Sequence, residues 1–243
     1  EIGGTLSGRL SMPVAVENDA RAMALAELRV GAAQGAHSAI CMTVGTGIGG
    51  GIILDGKLWR GHSQSAGEIG HAVIDIDGEL GDDGLPGSLE SLAAAPAIQR
   101  RVRRELEKTM TQVFEEKLAG ASLDTLTARQ VFEALDLADP VATRALQDTA
   151  FILGSGLTGL VNAINPERVI IGGGVSDAAP SLAPLVEAQI RRSALSSAVS
   201  DLRVLKAELG NQAGFIGAAF LSTEEPWRSQ LQRDSNKKSK VER

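Results

Sequence analysis

Hydrophobic and polar residues follow one another in blocks that predict an α/β protein. Apolar stretches rich in β-branched residues are typical of strands, and longer stretches rich in Ala, Leu, Glu and Arg are typical of helices. The pattern predicts strands at 13–19, 39–44, 52–54, 57–60, 72–76, 169–171 and 202–207. It predicts helices at 20–30, at 88–118 with a break at Pro96, and at 127–135, 139–164, 180–192 and 213–221.

Three of these helices begin at a recognisable signal. Ser88 and Thr127 each precede a helical stretch, and a hydroxyl at such a position caps free backbone N–H groups. Asp139 and Pro140 open the longest helix, since proline is well tolerated at the first helical position. These residues predict where the helices start.

A glycine-rich bend joins the strand at 39–44 to the strand at 52–54. Five of the seven residues at 45–51 are glycine, and Thr46 lies between Gly45 and Gly47. Glycine lets another molecule approach the backbone amides, and the threonine adds a hydroxyl donor. A hairpin turn alone needs fewer glycines, so the bend predicts a phosphate site. The spacing is neither that of a P-loop nor that of a strand-to-helix G-x-G-x-x-G motif, which argues against those two sites.

A second glycine cluster, Gly172, Gly173 and Gly174, directly follows the strand at 169–171. Ligands in open α/β sheets bind at this end of a strand. A plain tight turn would also explain glycine here. Three glycines in a row favour the close approach of a flat group such as a nucleotide base.

Two pairs of polar residues are candidates for chemistry. Asn18 and Asp19 lie at a predicted strand-to-helix junction, where capping is the commoner role and catalysis the alternative. Glu68 and His71 lie three residues apart in a glycine-containing loop and could reach one polar ligand. A lone histidine is usually a surface or core residue, so neither pair identifies a function without its context.

Composition limits the class of protein. The chain has 243 residues, 43% of them hydrophobic, and a formal net charge of −6. These values predict a globular protein and argue against nucleic-acid binding through this chain. The single cysteine, Cys41, predicts a buried inert thiol and excludes a disulfide within the chain, which fits a reducing compartment. Without a signal peptide or a long apolar run, the protein is expected in the cytoplasm and not in a membrane.

The order of these motifs resembles the carboxyl-terminal lobe of the ROK family of sugar kinases and sugar-responsive repressors. The resemblance covers residues 13–221 and implies an actin-like, ribonuclease-H-like ATPase lobe with a mixed sheet flanked by helices. Residues 1–12 are then expected to be a remnant of a preceding lobe or a linker. The polar segment 222–243 is expected to be a disordered tail. The matching motifs are Asn18-Asp19, Gly45-Thr46-Gly47, Gly67-Glu68-Ile69-Gly70-His71 and Gly172-Gly173-Gly174.

The resemblance implies a role for each motif residue. Asp19 would be the general base that accepts the proton of a sugar hydroxyl as it attacks the γ-phosphorus of ATP. ATP and Mg²⁺ are thus expected together with a hexose or N-acetylhexosamine. The residues implied to bind the sugar are Asn18, Glu68, His71 and Glu90. Those implied to bind the nucleotide are Gly45, Thr46 and Gly47 at the phosphates and Gly172, Gly173 and Gly174 at the adenosine.

The chain departs from the family pattern in two places. Many members hold zinc with a histidine and a Cys-x-Cys-Gly-x-x-Gly-Cys run, but the stretch 78–88 contains no cysteine. With His71 alone a structural zinc lacks its thiolates, so no metal site is predicted. The family's amino-terminal lobe, with its Asp-x-Gly-Gly-Thr motif, has no counterpart in the chain. Half a cleft is expected to give little or no kinase activity alone.

A sugar kinase is the leading hypothesis, and the sugar-sensing lobe of a ROK repressor is the alternative. A sensor needs the sugar-binding residues, but it needs neither the bend at 45–47 nor a base at Asp19. Both features are intact, which favours the kinase, although a repressor derived recently from a kinase could keep them. A non-catalytic oligomerisation lobe is a third hypothesis, and the long helices are candidate surfaces for a homodimer.

Overall fold

One mixed sheet organises the part of the chain that the computed structural model describes, residues 2–78, 80, 81 and 84–224. Its five strands are β1 Ala39–Val44, β2 Ile48–Leu54, β3 Lys57–Trp59, β4 Arg168–Gly172 and β5 Arg203–Lys206. Their order across the sheet is β3-β2-β1-β4-β5. β2 pairs antiparallel with β1 and β3, whereas β4 pairs parallel with β1 and β5.

The central strand β1 separates two hydrophobic layers. Ile40, Met42 and Val44 belong to one layer, and Ala39 and Cys41 belong to the other. This alternation with a period of two is what a strand covered on both faces requires. Burial raises the pKa of the Cys41 thiol, which stays protonated. The predicted buried cysteine is confirmed.

Helices cover both faces of the sheet. The helices, of which α1 buries none of its residues, are α1 Ile2–Leu10, α2 Asp19–Val30, α3 Leu89–Ala93, α4 Ala95–Lys108, α5 Gln112–Leu118, α6 Ala128–Asp136, α7 Pro140–Ile164, α8 Gly174–Ala178, α9 Leu182–Ser193, α10 Ser196–Val199 and α11 Ala213–Phe220. Residues of α2 and α11 pack in the layer of Cys41, and residues of α3 to α10 pack in the layer of Met42. None of the helices in the described ranges combines the length and apolar character needed to cross a membrane.

α2 lies directly on β2 because two residues of the strand have no side chain. A Cβ at Gly49 would lie 2.6 Å from Ala20 Cβ, and a Cβ at Gly51 would lie 2.5 Å from Ala24 Cβ. Carbon atoms in ordinary contact are about 3.5–4.0 Å apart, so a larger residue would push the helix off the strand. Packing against α2 therefore explains two of the five glycines at 45–51, and Gly50 is explained by a backbone contact, because a Cβ there would lie 2.6 Å from the Gly67 carbonyl oxygen.

The predicted helix caps are confirmed. The hydroxyls of Ser88 and Thr127 accept hydrogen bonds from backbone N–H groups at the starts of α3 and α6. The Asp139 carboxylate caps α7 in the same way, directly before Pro140. Each side chain satisfies a donor that has no partner inside its helix.

Two predicted strands are wrong. Residues 13–17 are coil that ends at the N-cap of α2, and 72–76 forms only one isolated bridge, between Val73 and Ser88. Both stretches carry apolar residues typical of strands. A strand also needs a free neighbouring edge to pair with, and an apolar pattern does not supply that information.

The helix predicted at 88–118 is three helices, α3, α4 and α5. The chain breaks at Ala94 and again at 109–111, not at Pro96. Pro96 lies in the first turn of α4, where its missing N–H leaves no bond unmade. The pattern predicts no element where α1 and the short α8 form. Most of the segment predicted as a tail, 225–243, lies outside the described residues.

Glu27 is a fully buried carboxylate on the last turn of α2. Its Oε2 accepts a hydrogen bond from the N–H of Ala32 at 2.7 Å. Its Oε1 accepts from the N–H groups of Glu208 at 3.1 Å and Leu209 at 3.0 Å. One side chain thus fastens the end of α2 to the stretch between β5 and α11.

Replacing Glu27 by glutamine is expected to lower the free energy of unfolding by about 3 kcal/mol, because the new amide N–H₂ would face backbone donors and leave them unsatisfied. Urea unfolding followed by circular dichroism measures the change. Glu187→Gln is the matched control, since Glu187 forms a partly exposed ion pair with Arg191 and should contribute less than about 1 kcal/mol. Equal effects of the two substitutions would contradict the role assigned to Glu27.

Candidate functional site

The N-terminus of α2 carries the first predicted site residues. Asn18 caps the helix, and its Oδ1 accepts a hydrogen bond from the N–H of Arg21 at 3.1 Å. Asp19 is the first helical residue and is exposed, with its Oδ1 accepting from the N–H of Ala20 at 2.9 Å. Because Ala20 packs on Gly49, Asp19 lies beside the strand that leads out of the glycine bend.

A buried ion cluster adjoins this helix start. Glu17 Oε1 pairs with Arg21 Nε at 2.7 Å, and Glu17 Oε2 pairs with Arg60 Nε at 2.7 Å. Arg21 Nη1 lies 3.7 Å from Glu68 Oε1, and Glu68 Oε2 lies 3.9 Å from His71 Nδ1. The cluster therefore brings Glu68 and His71 to the start of α2.

The pKa of the Glu17 carboxyl lies below its ordinary value. Burial is the largest single influence and raises the pKa, but hydrogen bonds from Arg21, Arg60 and the N–H of Asn18 together outweigh it. The side chain is only 5% exposed. Glu17 is therefore an ionised carboxylate at neutral pH, enclosed between two guanidinium groups.

The bend at 45–47 is held from several sides. The Gly45 carbonyl accepts a hydrogen bond from the N–H of Ala95 at 2.8 Å, at the start of α4. Glu90 Oε2 accepts from the N–H of Ile48 at 2.6 Å, and a Cβ at Gly47 would lie 2.5 Å from that same oxygen. Glu90 therefore supports the bend in this structure, and its predicted contact with a sugar stays a prediction.

The two glycine clusters meet at one cavity of about 480 Å³. Parallel pairing of Thr43 with Gly172 brings the ends of β1 and β4 side by side. Gly173 has a φ of 89°, and a Cβ there would lie 2.5 Å from the Val44 carbonyl oxygen, so this position requires glycine. Residues that line the cavity include Gly45, Thr46, Ala128, Phe132, Gly174 and Val175.

The cavity has an apolar wall and a charged rim. Phe132 contributes to the wall, and α6 also brings Arg129, Glu133 and Asp136 to the lining. Hydrogen bonds from Arg129 and Lys117 hold the pKa of the Glu133 carboxyl below its ordinary value. An apolar wall accommodates a flat ring, and a few polar groups at its edge fix the orientation of a ligand.

The structure sorts the predicted site residues into two groups, whose binding roles stay predictions. The contact of Ala20 with Gly49 joins the two groups. The group at the start of α2 contains Asn18, Asp19, Glu68 and His71. The group around the cavity contains Gly45, Thr46 and Gly174 in the lining, with Gly47, Gly172, Gly173 and Glu90 supporting it.

The sequence does not indicate several residues of the site. Glu17 and Arg21 are four positions apart, and that spacing is a signal for an ion pair near a helix start. Arg60 joins them from 43 positions away, and nothing in the sequence indicates that contact. Nor does the sequence indicate that Phe132 lines the cavity, because the periodicity of α6 predicts a buried face but not which cavity that face borders.

The structure does not test the prediction that the chain lacks a zinc site. Among the side chains in the described ranges, no group of three His, Cys, Asp or Glu is placed to hold a metal ion. His71 lies near Glu68 instead. Three acidic residues of the neighbouring loop, Glu79, Asp82 and Asp83, lie outside the described residues.

One protein family matches almost the whole chain. The model of the ROK family matches residues 1–225. A glucokinase of Halalkalibacterium halodurans is 37% identical over 222 residues, which cover 89% of this chain and 65% of that protein. The DNA-binding transcriptional dual regulator NagC of Escherichia coli K12 is 32% identical over 216 residues, which cover 89% of this chain and 51% of NagC. The chain thus spans between half and two-thirds of these two relatives.

Solved structures agree with the sequence comparison. A ROK family glucokinase from Streptomyces griseus, in complex with glucose and AMPPNP, matches with a TM-score of 0.79 and 35% identity. The match covers 90% of this chain and 71% of that chain. The predicted fold class, an actin-like ATPase fold with a mixed sheet flanked by helices, is confirmed.

The ion pairs of Glu17 are expected to make stability depend on pH. Because the folded-state pKa of Glu17 is lowered, its contribution is fully present above the unfolded pKa and is lost as pH falls through the folded pKa. Unfolding by urea at steps from about pH 7 to about pH 3 should show the stability of the unaltered protein converging on that of Glu17→Gln at the acid end. A difference that stays constant over this range would contradict the assignment.

Proposed function

The chain belongs to the ROK family, and from that premise we propose that it forms the ATP- and sugar-binding lobe of a sugar kinase. The reaction transfers the γ-phosphoryl group of ATP to a hydroxyl of a hexose or N-acetylhexosamine. The observation that carries the proposal is the packing of Ala20 on Gly49, which puts Asp19 next to the strand that leaves the glycine bend. Glucokinases among the relatives support a sugar kinase.

Asp19 has the position and chemistry of a general base in this proposal. It is exposed at the end of a helix and accepts hydrogen bonds, so it can take the proton of the attacking hydroxyl. A bond forms between that oxygen and the γ-phosphorus while the bond from the γ-phosphorus to the ADP oxygen breaks. Asn18, Glu68 and His71 offer donors and acceptors for the other hydroxyls of the sugar.

In this proposal the nucleotide binds in the cavity at the glycine bend. Gly45 and Gly174 line the cavity, and no atom lies within 4 Å of the position that a Cβ would take on either residue. The phosphates can therefore approach the backbone at Gly45 closely and the adenosine the backbone at Gly174, while Phe132 and Val175 offer an apolar wall to the base. Mg²⁺, when bound with ATP, neutralises charge on the phosphates and needs few protein ligands.

A sugar-sensing lobe of a repressor is the second candidate, because NagC is among the relatives. In that case the residues at the start of α2 bind the sugar and shift a conformational equilibrium. The cavity at Gly45 and Gly174 would then have no nucleotide to bind. Phosphorylation of a sugar by the full-length protein separates the two candidates.

Asp19→Asn in the full-length protein is expected to lower the turnover of hexose with ATP by at least about 100-fold, because the amide cannot accept the proton. Hexose affinity should stay within about threefold, since asparagine keeps the shape and an acceptor oxygen. A coupled assay for ADP and calorimetric titration with hexose measure the two quantities. Asp148→Asn, on α7, is the control and should change neither. Unchanged turnover in Asp19→Asn would remove the proposed base.

Gly45→Ala is expected to raise the KM for ATP by about tenfold or more, since a methyl group would fill space reserved for phosphate. Because the methyl group would contact no protein atom, the free energy of unfolding should not fall and should rise by up to about 1 kcal/mol. Initial rates and urea unfolding measure these effects. Gly159→Ala is the matched control, because it also meets no atom within 4 Å but lies on the exposed side of α7. An unchanged KM in Gly45→Ala would mean that the bend does not bind the phosphates.

A further inference from the structure

Glu17 ties down both ends of the loop at 60–66. Arg60, at the start of the loop, pairs with Glu17 Oε2. Arg21, which pairs with Glu17 Oε1, donates from Nη1 to the Ala66 carbonyl at 3.3 Å at the end of the loop. The N–H of Ala66 also donates to the Arg60 carbonyl at 3.0 Å and closes the loop on itself. One carboxylate therefore fixes this loop against α2 through two guanidinium groups.

The same carboxylate reaches both sides of the predicted sugar site. Its Oε1 accepts a hydrogen bond from the N–H of Asn18 at 3.0 Å. Through Arg21 it is linked to Glu68, which lies two residues after the loop and near His71. The Glu17 side chain is 5% exposed and the Glu68 side chain is 44% exposed. Glu17 is therefore the buried, fixed member of this series of contacts, and Glu68 is the member that faces solvent.

Stability alone gives a weak reason for this arrangement. Burying charges removes their hydration, and a buried ion pair often contributes no more than a well-packed apolar pair would. Arg60 is 9% exposed, and its Nη2 is buried without a hydrogen-bond partner among the described residues. Leaving a buried guanidinium nitrogen unpaired costs stability. The ion pairs of Glu17 nevertheless fix the position of the loop at 60–66 relative to α2.

We propose that Glu17 is a positioning residue for the sugar: through Arg21 it holds the loop that leads to Glu68 and His71 in place beside Asn18. The inference rests on the proposed function only in taking these residues as sugar ligands. Glu17 itself does not touch the substrate. Its effect is expected on the binding of hexose and not on the binding of ATP, because its contacts lie on the α2 side of the bend.

Calorimetric titration of the full-length protein with hexose, without ATP, tests the proposal. Glu17→Gln is expected to weaken hexose binding by about tenfold or more, because the glutamine amide cannot hold two guanidinium groups. The KM for hexose should rise in parallel, while the KM for ATP and the turnover at saturating hexose stay within about threefold. Glu17→Asp, which keeps the charge, should recover part of the affinity.

A double substitution tests whether Glu17 acts through Glu68. If it does, Glu17→Gln should weaken hexose binding less in a protein that already carries Glu68→Gln than in the unaltered protein, so that the two effects are not additive. Arg21→Lys covers the case in which Glu17→Gln does not fold: lysine keeps the charge but cannot reach Glu17 and the Ala66 carbonyl together, so hexose binding should again weaken. Fully additive effects, or unchanged hexose affinity in Arg21→Lys, would overturn the proposal.

Controls separate this inference from a general loss of stability and from the kinase proposal. Glu187→Gln removes an ion pair of the same i, i+4 spacing on α9 and should leave hexose affinity unchanged. If the unaltered protein binds hexose but does not phosphorylate it, the kinase proposal fails and the role of Glu17 is still decided by binding alone. If Glu17→Gln weakens ATP and hexose binding equally, Glu17 is a structural residue and this inference fails.

Discussion

The contact between α2 and the glycine residues of β2 is the constraint on which the site depends. Ala20 and Ala24 occupy the space that side chains at Gly49 and Gly51 would take, so only the alanine methyl groups separate the helix from the strand backbone at these two positions. Interiors are packed densely enough that even one added methyl group at such a contact must move the helix. Because Asp19 directly precedes Ala20, the same contact sets the distance from the predicted base to the bend.

A second constraint is the parallel pairing of β1 with β4, which brings together two glycine clusters that are more than a hundred residues apart. The pairing of Thr43 with Gly172 ends both strands at the same edge of the sheet. The backbone then turns at Gly173 with a positive φ, so close to Val44 that no side chain fits. The cavity between the clusters is thus a result of sheet register, as expected for the carboxyl ends of parallel strands.

The sequence predicts much of this fold for reasons that are local. Caps such as Thr127 and Asp139 and the apolar run at 169–171 depend on near neighbours in the chain, and these elements form where the pattern predicts them. The strand predicted at 72–76 fails because pairing depends on a distant edge. The link from Glu17 to Arg60 is missed for the same reason, since 43 positions separate the partners and the loop between them has no regular pattern. Nor can sequence say which glycines serve packing and which are open to a ligand.

The difference between glycines required by packing and glycines open to a ligand helps to decide whether the lobe serves catalysis or sensing. Gly49 and Gly51 are each crowded by an alanine Cβ atom of α2, so they would be glycine in either kind of protein. Gly45 and Gly174 are not crowded, and neither has a positive φ, so the fold itself would accept alanine at both. Glycine in place of alanine lowers stability by roughly 0.5–1 kcal/mol where the backbone does not require it. A sensor of sugar alone gains nothing to offset that loss, whereas a protein that brings a nucleotide against these two backbones does, and this asymmetry favours the kinase.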